Sequence, residues 1–177
     1  YPQGGNTTIT YKNVAQYASG EVRNYPYPIF TVQQITNSDG AGLISSFTYD
    51  YQGGQYYFNN AFDRKFSGYN YITKTDSASN VTKTFYHTGE GTSSSTGQYS
   101  DNGFKIGKVY RVENYDNSSN TYKITINKWD HYDLGNSAGF VKLVRATELA
   151  YDGGSNHKDK SETYTYSDSN GYVTEKV

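Results

Sequence analysis

The sequence predicts an all-β chain, a series of antiparallel β-hairpins. Apolar and polar residues alternate with a period of two along much of the chain. Polar clusters of Asp, Asn, Ser and Gly break that alternation at short intervals. Helical periodicity is hard to find.

Composition narrows the function classes. The chain has 16 basic and 17 acidic residues, so no basic field exists to gather nucleic acid or anionic lipid. There is no cysteine, which excludes disulfides and thiolate metal sites. No stretch approaches the roughly 18 apolar residues of a membrane span. Leu, Ile, Val and Phe supply only 30 of the 177 residues, and 21 tyrosines make up the missing apolar area. A tyrosine ring buries a large area while its hydroxyl keeps a polar partner, which suits thin, half-wetted β layers. The first residue is Tyr1, the chain has no methionine, and nothing near the start reads as a signal peptide. The expectation is one β-rich segment, residues 1–177, of a larger protein.

The elements follow in order. Over Thr7–Lys12, Ile9 and Tyr11 alternate with Thr8, Thr10 and Lys12. All three prolines precede residue 29, two of them in Tyr25-Pro26-Tyr27-Pro28, which reads as an edge or crossing segment. Asn37-Ser38-Asp39-Gly40 separates a strand at Thr31–Thr36 from one at Leu43–Tyr51, whose buried face would carry Leu43, Phe47, Tyr49 and Tyr51. Asp76–Asn80 joins Tyr69–Thr75 to Val81–His87, a predicted antiparallel hairpin with a five-residue loop. The Gly- and Ser-rich stretch Thr88–Gly103 reads as a surface loop. Asp116–Asn120 joins Lys108–Tyr115 to Thr121–Trp129, where Tyr122, Ile124 and Ile126 share one face. Gly153–Lys160 reads as a shorter loop, and Asp168-Ser169-Asn170-Gly171 joins Thr163–Tyr166 to Tyr172–Val177. Asp39, Asp76, Asp116 and Asp152 stand 37, 40 and 36 positions apart, a loose recurrence of the kind stacked supersecondary units give.

Three strings carry a family resemblance. Arg64-Lys65-Phe66-Ser67-Gly68-Tyr69, then Thr73-Lys74-Thr75-Asp76, then Thr82-Lys83-Thr84-Phe85-Tyr86-His87-Thr88-Gly89 resemble a segment of Rhs/YD-repeat proteins, including the B component of insecticidal Tc toxins. Gly107–Glu113 with Tyr115-Asp116, and Tyr164-Thr165-Tyr166, fit the same pattern. The match is best over residues 62–129, with 1–61 as a lead-in and 130–177 as further hairpins. The resemblance implies a long ribbon of hairpins curving into a hollow shell around a toxic or variable C-terminal polypeptide. The family's plug with its self-cleaving aspartyl protease site is not seen in this sequence.

The candidates for chemistry are few. His131 lies in Trp129-Asp130-His131-Tyr132-Asp133, where two carboxylates and an imidazole could bind a cation or run acid–base chemistry. Neighbours on a strand point to opposite faces, which argues against their convergence. His87, at a strand end, reads as structural, and His157 as a solvated loop residue. Asp116–Asn120 lacks the ligand spacing, central Gly and distal Glu of a calcium loop. Gly89-Glu90-Gly91 is no phosphate loop. Glu113 with Asp116 could serve a glycosidase only if a sugar cleft lay between them. Trp129, Tyr132, Tyr56 and Tyr57 could stack on sugar rings or simply pack a sheet. No catalytic, cofactor or metal residue is assigned.

The sequence therefore favours a non-catalytic wall segment of a secreted or surface shell. Its expected partners are the remainder of its own parent chain and an enclosed toxin polypeptide. The alternative is a glycan-binding β-sandwich or adhesin module. A shell segment would leave Thr7–Lys12 and Tyr172–Val177 as open edges able to pair with another chain, and Thr7–Tyr11 carries no charge to guard against that.

Overall fold

In the computed structural model of the protein the alternation becomes ten strands. They are β1 (Asn6–Asn13), β2 (Phe30–Ser38), β3 (Ile44–Phe58), β4 (Arg64–Asp76), β5 (Val81–Tyr86), β6 (Val109–Tyr115), β7 (Thr121–Gly135), β8 (Ala138–Tyr151), β9 (His157–Tyr166) and β10 (Val173–Lys176). The structure describes residues 4–13, 16–17, 28–91, 96–135, 138–167 and 171–177, with the backbone alone at 134, 135 and 138. No α-helix occurs among them. The Tyr25–Tyr27 part of the proline segment and the Asp168–Asn170 part of the last predicted turn lie outside the described residues.

Every strand pairs antiparallel with its sequence neighbours, giving one open sheet in the order β1 to β10. The predicted hairpin forms: Tyr71–Thr75 of β4 pair with Phe85–Val81 of β5. The sandwich alternative is corrected here, because among the described residues no second sheet closes over the first. Among the described residues, β1 pairs only with β2, and β10 only with β9.

In such a meander, alternate turns fall on the same rim. Asp39, Asp76, Asp116 and Asp152 each open a five-residue loop, closed by the pairs Ser38↔Ile44, Thr75↔Val81, Tyr115↔Thr121 and Tyr151↔His157. The recurrence in sequence is thus two strands with their connections, and the four aspartates line one rim.

Two of these turns are near copies. Asp76 N–H donates to Asn80 O at 3.0 Å, and Asp116 N–H to Asn120 O at 3.0 Å. Asp76 Oδ1 accepts from the N–H of Ala78 and of Asn80, both at 2.9 Å, and Asp116 Oδ1 from Ser118 at 2.9 Å and Asn120 at 2.8 Å. Asn80 Nδ2 and Asn120 Nδ2 donate to the second carboxylate oxygens. The fourth residue takes positive φ, 66° at Ser79 and 65° at Ser119. Gly42 stands at that position in the first turn with φ 110°, where a glycine meets least strain.

Several boundaries shift. β2 runs through Ser38, so the first turn is 39–43 and not Asn37–Gly40. Leu43 is therefore an exposed turn residue instead of a buried strand residue. β9 starts at His157, so only 153–156 of the second predicted loop, Gly153–Lys160, lies outside a strand. A strand there lets His157–Thr163 pair with β8, a long-range gain that local composition did not signal. Ile9, Tyr11 and Tyr122, expected on buried faces, are exposed, because nothing described covers the sheet at those points.

The core is made of tyrosine. Tyr51 and Tyr69 are buried together with ring centroids 4.8 Å apart, and Tyr17, Tyr49 and Ile72 pack against them. Tyr51 hydroxyl donates to Val32 O at 3.0 Å, which removes the cost of burying it. Burial, helped by the neighbouring phenols of Tyr17, Tyr69 and Tyr49, pushes the Tyr51 pKa up to about 12.

Candidate functional site

The rim opposite the four aspartates is irregular. β5 and β6 are 6 and 7 residues long between β4 with 13 and β7 with 15. β4 pairs with β5 only over Tyr71–Thr75, and β7 with β6 only over Thr121–Ile126. This leaves a notch between Arg64–Asn70 of β4 and the far half of β7. Residues 87–91 and 96–108 lie across it as a strap. The sequence expectation of a surface loop at Thr88–Gly103 is corrected: Thr88 is buried and the Asp101 side chain is fully so.

Asp101 is the hub of the strap. Its Oδ2 accepts the N–H of Thr88 and of Gly89, both at 3.0 Å, and Gln98 Nε2 at 3.4 Å. Its Oδ1 accepts Asn102 N–H at 2.7 Å. His87 Nδ1 lies 3.1 Å from the same oxygen, close enough for an ion pair but without hydrogen-bond alignment, and the imidazole is 1% exposed. Lys105 is also buried, with Nζ donating to Ser100 O at 2.5 Å and lying 3.3 Å from Ser100 Oγ. Burial holds its ammonium below the ordinary lysine pKa, and Asp130 and Asp101 pull it partly back.

The strap meets both flanking hairpins. Cβ atoms at Gly103 and Gly89 would lie 2.8 Å from Tyr57 Oη and 2.7 Å from Tyr57 Cδ2, so only glycine lets the backbone this close to β3. Thr88 Oγ1 approaches Asn70 Oδ1 of β4 at 3.5 Å. Register sets Tyr71, Phe85, Arg111 and Ile126 side by side on one face, and Gly97 sits over Ile126. Arg111 donates to Thr96 O at 3.2 Å, and Arg145 of β8 donates to Tyr99 hydroxyl at 2.6 Å. Phe104 stacks on His131 of β7 with centroids 4.0 Å apart. Beside the strap remains a cleft of about 620 Å³, lined by Tyr57, Asn60, Lys65, Asn102, Phe104 and His131 among others.

The sequence candidates fall as follows. His87 lies just past the end of β5, buried against Asp101. His131 and Asp133 both line the cleft, while Asp130 Oδ1 accepts His131 N–H. No group of three or more potential metal ligands gathers among the described residues. His157 belongs to β9 and pairs with Asp159 at 3.1 Å, so it is no loop residue. Glu113 is buried, taking Arg111 Nε at 2.6 Å and Tyr115 hydroxyl at 2.6 Å, while Asp116 is committed to its turn. That pair therefore does not face a common cleft. Trp129, Tyr132, Tyr56 and Tyr57 are half-buried, and Trp129 donates to Val109 O at 2.7 Å, so they serve the sheet before any ligand. Sequence reasoning missed Asp101 and Lys105. The only local signal was a charged residue on each side of Asn102-Gly103-Phe104, which is common in exposed loops.

Comparison with known proteins is narrow. No protein-family profile and no curated protein matches the chain. A chain in the crystal structure of TcdB2-TccC3-Cdc42 shares the fold, with a TM-score of 0.70 at 17% sequence identity. The similarity covers 92% of this chain and 11% of that one, so the chain spans about a ninth of the length of its neighbour.

Proposed function

We propose that this chain is wall material: a ribbon segment of a larger shell-forming polypeptide that encloses or displays a toxin or variable domain. The observation that supports it best is the single open sheet in strict sequence order, whose trace follows a Tc toxin chain over nearly its whole length. A ribbon of this kind adds strands one after another without closing a core, so it can be extended at either edge. In this reading the partners are the remainder of the parent polypeptide and its enclosed cargo, and the setting is secreted or cell-surface. No helix among the described residues is long and apolar enough to cross a membrane.

Light scattering of the 177-residue chain tests the edges. Concentration-dependent association is expected, and replacing Thr8 and Thr10 by lysine should suppress it by charging the outer edge of β1. A strict monomer at high concentration, with both outer strands shielded from exchange, would count against the wall reading.

A further inference from the structure

We propose that the cleft beside the strap is a binding site for a neutral oligosaccharide, with the Phe104 ring as the platform for one pyranose and the amides of Asn60 and Asn102 as donors to its hydroxyls. Such a site is independent of the shell reading, since the whole cleft lies within one chain.

Phe104 is held as a platform. It stacks on His131 with centroids 4.0 Å apart and planes 15° from parallel. His131 is itself fixed: its backbone N–H donates to Asp130 Oδ1 at 2.9 Å, and a Cβ at Gly139 of β8 would collide with its Nε2. Beside Phe104, the buried Lys105 donates its backbone N–H to Asn102 O at 3.0 Å, which ties the platform to the strap. Phe104 borders the cleft and stays 43% exposed. Among the described residues no cation lies over its ring. Trp129, Tyr132 and Tyr57, the aromatic candidates of the sequence, are half-buried in the sheet. They also carry Lys108, Lys142 and Lys65 over their rings, at 5.2, 5.2 and 5.4 Å from the centroids. The ring that is backed on one side and still open is Phe104.

The polar fringe is preset. Asn60 Oδ1 accepts the N–H of Phe62 at 2.9 Å and of Asp63 at 3.0 Å, and Asn102 Oδ1 accepts the N–H of Phe104 at 3.1 Å and of Lys105 at 3.3 Å. With each carbonyl end committed, Nδ2 is what either amide offers the cleft it lines. Asp63 Oδ2 accepts Asn59 Nδ2 at 3.2 Å and Oδ1 lies 3.5 Å from Lys65 Nζ, so each oxygen keeps acceptor capacity for a hydroxyl. Asp133 adds an exposed carboxylate. Vicinal sugar hydroxyls donate and accept at once, and amides alternating with carboxylates meet both needs. The axial C–H face of a pyranose is apolar and slightly positive, which suits the negative face of an aromatic ring. The charges decide against other small ligands. Two carboxylates stand against one ammonium, which disfavours a phosphate or a carboxylate. An apolar peptide would bury the amides and acids of the fringe without partners. The volume of about 620 Å³ falls within the ~300–1,000 Å³ of small-ligand sites.

Saturation-transfer difference NMR on the 177-residue chain tests this, with cellotriose, triacetylchitotriose and a sulfated cellotriose as probes. The signal is read on the sugar, so edge-to-edge association of the chain does not obscure it, and a failure here is distinct from a failure of the wall reading. At least one of the two neutral trisaccharides should bind with a millimolar or tighter Kd, with the strongest saturation on the protons of one ring face. The sulfated sugar should bind severalfold more weakly than cellotriose. Phe104→Leu keeps apolar packing on His131 but removes the flat ring, and it should weaken binding about tenfold. Phe104→Trp restores a ring at the same place and should retain binding, which separates loss of the platform from loss of the fold. Silence from both neutral trisaccharides at millimolar concentration would overturn the proposal. So would a Phe104→Leu chain that binds as the unsubstituted one does, a Phe104→Trp chain that does not bind, or tighter binding of the sulfated sugar.

Discussion

The aspartate turns and the strap, on opposite rims of the sheet, solve the same problem in opposite ways. Both must reverse the chain between neighbouring strands. The aspartate rim does it with five-residue loops whose bonds stay within the loop. The strap leaves two strands short and fills the gap, and the partners of its described residues, 87–91 and 96–108, lie on β3, β4, β6, β7 and β8. A turn closed on itself can be repeated along a ribbon without regard to its neighbours. A strap ties distant hairpins together, so its failure is felt across the sheet. This difference sets the expected order of mutational effects.

The largest effect should come from Asp101→Ala. It strands the Thr88, Gly89 and Asn102 amides and removes the carboxylate that stands 3.1 Å from His87 Nδ1. A buried donor left without its acceptor costs about 1–3 kcal/mol. Urea unfolding should show that loss, or else a strap that detaches while the ladder persists. A loss under about 1 kcal/mol would mean that water reaches the hub and that the two rims are energetically alike.

Next comes Gly97→Ala. The added methyl would stand 2.5 Å from Ile126 Cγ2, at a backbone φ of 89° that disfavours any side chain. Overpacking of this sort costs about 1–3 kcal/mol. Gly153→Ala on the aspartate rim is the control, since φ is 94° there but nothing lies within 4 Å. If the two variants melt alike, backbone strain matters and the close approach of the strap does not.

The contrast also explains what the sequence disclosed. Hairpins came through because each is a local pattern: alternation, then Asp and Asn, then alternation. Asp76–Asn80 announces its own bonds, since carboxylate and amide sit four residues apart in the same loop. Strand order followed, because a meander pairs neighbours. Asp101 could not be read this way. Its donors come from residues 12 and 13 positions earlier as well as from its neighbour, and the strap that carries it packs on Tyr57 and Ile126 from other hairpins. The exposure of Ile9 and Leu43 was illegible for the opposite reason. Alternation shows that a face is apolar but not that anything covers it.

Alkaline titration should give a moderate effect that is the same in the core and beside an aspartate turn. Tyr51 in the core and Tyr115 beside the Asp116 turn both have pKa values pushed up to about 12, mainly by burial. The folded state therefore holds these protons where the unfolded chain, titrating near 10, has lost them. Their contribution is fully present below about pH 10 and is lost as pH rises toward 12. The melting temperature should fall steeply in that window, and absorbance at 295 nm should show a late phenolate step. A single step near 10 in the folded chain would contradict the buried-tyrosine core.

The smallest effects belong to the aspartate turns, and they should be graded. Asp76→Ala and Asp116→Ala each remove a carboxylate that two backbone amides and one asparagine side chain bond. Each should lower Tm by roughly 2–4 °C, by about the same amount, and additively, since the loops share no partner. Asp152→Ala should do less, because among the described residues its carboxylate accepts only Gly154 N–H, at 3.3 Å. The pH dependence follows from the bonding. Hydrogen bonds from Asn80 and Asn120 hold the Asp76 and Asp116 carboxyls below the ordinary range. A lowered folded pKa gives stability that is present above the unfolded value and lost as pH falls through the folded one. The penalty of Asp76→Ala should therefore be full at neutral pH and fade in strong acid, where the unsubstituted turn is itself protonated. Thermal melts of the single and double variants at both ends of that range would show it. A penalty that stays constant into strong acid would assign the role to the shape of the side chain and not to its charge.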